Sequence, residues 1–154
     1  MVAARAAEQV QAVPPGDHEL LVVAAWWHDL GYAPGLAATG FHPLDGARYL
    51  SHEGYPERLC ALVAHHSAAT FEAEERGLAD ELTAWPHEQS AVADALWMAD
   101  MTAGPRGESI DYPTRLAEIR GRYEPGSVVV RAMSRARPVI EAAIDRTDRR
   151  LRVA

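Results

Sequence analysis

The sequence predicts an all-α fold, and three observations carry that reading. Ala, Leu, Glu and Arg dominate its alphabet. No segment sustains the apolar/polar alternation that marks a half-buried strand. Pro and Gly residues fall where helices of ordinary length would begin and end. With 154 residues, 48% hydrophobic and 24% charged, the chain has the length and composition of one compact domain, taken as 1–154.

The elements follow in order. Val2 to about Val10 reads as a helix ended by Pro14-Pro15-Gly16, after which Asp17 is placed to cap the next. That second helix, His18 to Leu30, is apolar on every side from Leu20 to Trp27 and is expected in the middle of the domain, with Gly31 stopping it. Gly31 to Gly40 reads as a loop. Pro43 and Gly54 bracket a third helix over His42 to Glu53. Pro56 opens a fourth, in which Leu59, Leu62, Val63 and His66 share one face. Thr70 to Leu82, acidic and broken by Gly77, reads as one or two short surface helices. A longer helix is expected from His87 to Met101, with Val92, Leu96 and Asp100 stacked along its inner stripe. After a polar loop over Thr102 to Tyr112, two or three helices fill residues 113–152, separated by Glu124-Pro125-Gly126 and by Pro138.

Composition narrows the function. A net charge of −7 repels a phosphate polymer, so nucleic acid is excluded as a partner. The longest apolar run, Leu20 to Trp27, is too short to span a bilayer. The N-terminal residues Arg5, Glu8, Gln9 and Gln11 do not form a signal peptide, and the single Cys60 allows no internal disulfide; a reducing, cytoplasmic location is the expectation. All fifteen basic residues are arginine, which points to coding bias, and the interleaved cluster Arg146, Arg149, Arg150 and Arg152 reads as a charged helix face.

The chemistry concentrates at His28-Asp29, a polar pair at the inner end of the most apolar helix. A buried carboxylate must take a proton, a hydrogen-bond donor or a cation. The pair therefore reads either as a satisfied helix terminus or as ligands for a divalent metal. Further ligand types are His42 at the start of a helix after the glycine-rich loop, His66 facing inward next to His65, and Asp100 on the inner stripe of a later helix. His18 and His52 each lie about 15 Å along a helix from His28 and His42, and His87 is remote from Asp100, so these three are left at the surface.

Four segments together resemble the HD-domain superfamily of metal-dependent phosphohydrolases: Ala24-Ala25-Trp26-Trp27-His28-Asp29-Leu30-Gly31-Tyr32, Phe41-His42-Pro43-Leu44-Asp45-Gly46-Ala47, Val63-Ala64-His65-His66-Ser67, and Ala95-Leu96-Trp97-Met98-Ala99-Asp100. The similarity spans residues 2–101, leaving the helices of 113–152 as an addition. The resemblance implies an HD-type helical bundle holding one or two divalent ions, with iron, manganese, nickel, cobalt and magnesium not distinguished. It implies His28, Asp29 and Asp100 as ligands of a first ion, His42 and His66 as ligands of a second, and Asp29 between them. His65 becomes a further ligand or a proton donor to the leaving oxygen. The implied reaction is attack of metal-activated hydroxide on a small phosphoester or phosphoanhydride, with a nucleotide as the expected substrate.

Two departures qualify the resemblance. Family members carry a first ligand His on the preceding helix, ahead of a stretch like Val2-Ala3-Ala4-Arg5-Ala6. Either the true start lies upstream of Met1 or the first site is incomplete; in the latter case the alternative is a non-catalytic HD-fold module that binds a nucleotide or a partner, and a plain structural helical domain is a third. Tyr32 stands where some members have a lysine, so a cationic helper would come from Arg48, Arg115, Arg120, Arg122 or Arg131.

Overall fold

The computed structural model describes residues 2–154, and among them it contains nine α-helices and no strand, with one isolated antiparallel bridge from Ala103 to Ser109 inside the expected polar loop. Helix α1 (Val2–Glu8) leads through two 3-10 turns, Val10–Ala12 and Pro15–Asp17, into α2 (His18–Trp27). Asp17 does precede α2, but its side chain makes no cap; it pairs with Arg58, 2.6 Å from Nη1, because a charged partner outcompetes a backbone N–H. Helix α2 ends three residues earlier than the sequence suggests, and the chain passes through His28 and Asp29 into a 3-10 turn at Leu30–Tyr32.

Gly31 does not stop α2. It lies buried inside that turn, where a Cβ would come 2.1 Å from the His42 carbonyl oxygen and 2.8 Å from the Gly46 nitrogen. Its role is close approach to α3 (His42–His52), and Gly46 answers from the other side, its nearest neighbour being the Gly31 nitrogen. Pro43 sits in the first turn of α3 and Gly54 follows its end at φ +80°. Asp45, buried in α3, accepts hydrogen bonds from the Thr39 N–H, the Thr39 hydroxyl and the Gly40 N–H, which ties the preceding loop to the helix start.

Helix α4 (Glu57–Ala64) stops short of His66, which opens a 3-10 turn, His66–Ala68, instead of sitting on the helix proper. Ser67 and Ala68 both take positive φ, +50° and +59°. Helices α5 (Thr70–Arg76) and α6 (Ala79–Leu82) are parted by the left-handed Gly77. Helix α7 (Ala91–Met101) begins four residues later than His87, because Ser90 caps it by accepting from the Ala93 N–H.

The centre belongs to α7 rather than α2. Every α7 residue from Val92 to Met101 is buried. Helix α2 packs against α1, α4 and α7 but leaves one side open, with Trp26 61% exposed. After α8 (Tyr112–Gly121), α9 (Val128–Leu151) runs unbroken through Pro138. The residue costs one ladder bond, but Met133, Ala136, Ile140 and Ala143 keep one apolar stripe in the core on both sides of it, against α5 and α7. The core cluster extends from Ala3 to Ala143. No helix of the described residues is long and apolar enough to cross a membrane.

One clamp fastens α9 to α7. Asp94, buried, receives Arg146 through Nε at 2.9 Å and Nη2 at 2.5 Å, and Arg150 at 2.8 Å. Arg146 and Arg150 of the C-terminal arginines thus join α9 to α7. Both guanidiniums are partly open to solvent, so Asp94→Ala is expected to cost about 1–2 kcal/mol. That is a fall in Tm of about 2–8 °C with metal binding unchanged; an unaltered Tm would contradict the clamp.

Candidate metal centre

Five of the six expected site residues converge. His28 and Asp29 come from the turn after α2, His42 from the first residue of α3, His66 from the turn after α4, and Asp100 from the last turn of α7. Asp29 spans the group: Oδ2 lies 3.2 Å from His28 Nε2, and Oδ1 lies 3.3 Å from His42 Nε2. Asp100 Oδ1 stands 3.6 Å from His28 Nε2, and His42 and His66 face each other Nε2 to Nε2 at 3.1 Å. Ligand atoms of Asp29, His42 and His66 all lie within 4.8 Å of one another. The centre is enclosed on the protein side, with His28, His66 and Asp100 buried, and opens through Asp29, whose side chain is 56% exposed.

Each ring is aimed by the backbone beneath it. His28 Nδ1 lies 2.8 Å from the Ala25 carbonyl oxygen and His66 Nδ1 lies 2.6 Å from that of Val63. A carbonyl only accepts, so Nδ1 carries the proton and in the neutral ring Nε2 presents its lone pair to the centre, the arrangement found in metal-ligating histidines. Stacking of Tyr32 on His42, centroids 4.0 Å apart, fixes the third ring. Asp100 is held by Ser67, whose hydroxyl donates to Oδ2 at 2.5 Å. Delivering that hydroxyl takes the left-handed backbone at Ser67, a conformation that costs of order 1 kcal/mol outside glycine.

The residues present fit a cation. His28 Nε2 is buried and, though two carboxylate oxygens lie near, hydrogen-bonds to neither. Such an orphan is costly unless something is shared between the groups. Burial disfavours charge on His28, yet the Asp100 and Asp29 carboxylates outweigh it and push the ring up to about 11. Burial would raise both carboxyls, but the His28 charge holds Asp29 and Asp100 below the usual carboxylate range. Burial, then the facing His66, drives His42 down to about 3, and burial with the nearby His28 charge lowers His66 as well. The two carboxylates thus favour charge on His28, whereas burial favours neutral rings at His42 and His66.

His65 is not brought into the centre. Its Nε2 lies 3.0 Å from the Trp85 carbonyl oxygen, its ring stacks on His87 at 4.6 Å, and it does not line the cleft, so the expected proton-donor role has no geometry behind it. His18 bonds the Val13 carbonyl, and His52 and His87 are exposed, as their spacing suggested. A cleft of about 530 Å³ opens over the centre. Of the arginines considered from the sequence, Arg115 and Arg122 line it, whereas Arg48, Arg120 and Arg131 are turned to Glu81, Ser134 and Glu75. Sequence reasoning missed Arg76, which also lines the cleft and is closed by Glu72 at 2.7 Å, and it missed Ser67. A hydroxyl one residue beyond a ligand-type histidine was the available signal for Ser67.

No curated protein and no solved structure matches this chain. The family model described as HD domain matches residues 1–103, a region that contains all five convergent side chains. The match covers two thirds of the sequence, and the chain belongs to the HD-domain family.

Proposed function

We propose that the protein is a metal-dependent phosphohydrolase acting on a small phosphorylated substrate, with a nucleotide as the preferred class. The observation that carries the reading is the convergence of His28, Asp29, His42, His66 and Asp100 on one opening, with His28 Nε2 unpartnered. Asp29, with one oxygen toward each side, is assigned as the shared ligand; His28 and Asp100 complete one position, and His42 and His66 the other. When bound, a divalent ion supplies Lewis acidity and makes hydroxide available from water at neutral pH. The chain's own residues orient the ligands: the Ala25 and Val63 carbonyls hold two imidazole tautomers, and the Ser67 hydroxyl holds Asp100. The exposed edge of Asp29 gives a phosphoryl group access, while the buried rings exclude water from behind. A cleft of this size and a net charge of −7 favour a small molecule over a polymer.

The test is phosphate release by Mn²⁺- or Co²⁺-loaded protein from nucleoside phosphates and p-nitrophenyl phosphate. Asp100→Asn is expected to lower turnover at least about 100-fold with its helical circular dichroism intact; full turnover by that variant, or none by the loaded parent protein, overturns the reading.

Metal uptake has a pH signature. The Asp100 and Asp29 carboxylates favour the protonated ring of His28, which must lose that proton to coordinate, so loading is expected to release protons. Affinity should therefore rise with pH and fall on acidification. Calorimetric titration in two buffers of different ionisation enthalpy measures the release, and a value near zero would contradict a protonated His28 before loading.

A further inference from the structure

The family match ends at residue 103, yet the cleft over the metal centre is walled by what comes after it: Arg115, Ile119 and Arg122 from α8 and its end, and Met133 from α9. Arg115 is the unusual member. Its side chain is only 15% exposed, its Nε is buried without a hydrogen-bond partner, and its ion pair to Glu118 is long at 3.4 Å. Arg122 reaches the same Glu118 at 3.8 Å, so a single carboxylate loosely serves two guanidiniums. Elsewhere in the chain the pairing is tight, as where Asp94 takes Arg146 at 2.5 Å and Arg150 at 2.8 Å. The trio of Arg115, Arg122 and Glu118 thus carries one positive charge more than negative at the wall of the cleft, and a guanidinium is the group that recognises phosphate oxygens in pairs.

The rest of the cleft suits a flat, partly apolar body. Ile119 and Met133 give an apolar strip. Tyr32, stacked by one face on His42 and 61% exposed, and Tyr123, 42% exposed, offer aromatic faces in the same cleft. We propose that α8 is the substrate-recognition element of this protein: Arg115, with Arg122 beside it, positions the phosphate of a nucleoside monophosphate at the metal centre, while Ile119, Met133 and the two tyrosines receive its base and sugar. The assignment rests on the hydrolase reading for its catalytic consequence, but substrate binding can be measured without turnover.

The experiment is calorimetric titration of the Mn²⁺-loaded full chain with a nucleoside 5′-monophosphate and, separately, with inorganic phosphate, alongside metal content and hydrolysis of p-nitrophenyl phosphate. Arg115→Gln is expected to weaken both ligands about 10–100-fold with metal content unchanged, and Arg115→Lys to recover part of the loss. Tyr123→Ala, at a side chain 42% exposed, is expected to weaken the nucleotide and leave inorganic phosphate unaffected. The exposed Arg122→Gln, which places no demand on folding, is expected to weaken both ligands by a smaller factor. Nucleotide affinity that survives both arginine substitutions overturns the recognition assignment, even if p-nitrophenyl phosphate is still hydrolysed. Conversely, arginine-dependent nucleotide binding with no hydrolysis of any ester supports the assignment and removes the hydrolase reading instead.

Discussion

Replacing Asp29 with alanine is expected to empty the metal centre while leaving the fold in place. Asp29 faces both groups of ligands, His28 on one side and His42 on the other. It is also more than half exposed, so its removal opens no cavity in the core. The variant keeps the rings of His28, His42 and His66 but loses one of the two carboxylates that would hold a divalent ion among them. Outer-sphere partners of metal sites typically cost 10–100-fold in affinity, and a direct, shared ligand should exceed that, so a loss of more than about 100-fold is expected. Equilibrium dialysis followed by elemental analysis reads it, with circular dichroism as the control. Metal content equal to that of the parent protein would mean that Asp29 is not a ligand.

Gly31→Ala is expected to damage stability and site together. The added Cβ would meet the backbone of α3 at the His42 carbonyl and the Gly46 nitrogen, neither of which can rotate away. Either α3 retreats or the turn carrying Asp29 does, and in both cases His42 leaves the position where its Nε2 lies 3.3 Å from Asp29. Overpacking of this kind costs about 1–3 kcal/mol, occasionally more, and the backbone contact places Gly31 at the upper end, a fall in Tm of about 6–12 °C. Metal affinity should drop alongside it. A variant as stable as the parent, with normal metal content, would show that the close approach is not needed.

The contrast between His65 and His66 shows what the sequence could and could not give. Both were legible as ligand types, and His66 shares the spacing of Leu59 and Val63. Yet the helix ends at Ala64, and beyond it a 3-10 turn with Ser67 in the left-handed region directs His66 to the centre and His65 to the Trp85 carbonyl. Helical periodicity points to His66, but once the helix has stopped it says nothing of where His65 turns. Likewise α3 was legible to within a residue because Pro43 and Gly54 act locally, whereas Pro138, an equally strong local signal, was overridden by the stripe that α9 packs against α5 and α7. Gly31 was read as a helix stop because a single sequence does not reveal which backbone will come against it; the structure places α3 there. The His28-Asp29 pair was legible for the opposite reason, since polar residues at the end of an apolar helix demand a partner wherever the chain goes next.

The most direct measurement is anomalous diffraction at the manganese edge from crystals of the protein grown with Mn²⁺. The expected result is an anomalous peak at coordinating distance, about 2.0–2.3 Å, from an Asp29 oxygen and from at least two atoms among His28 Nε2, His42 Nε2, His66 Nε2 and Asp100 Oδ1. A saturated crystal whose only ions lie elsewhere, with these five side chains bonded among themselves, would contradict it.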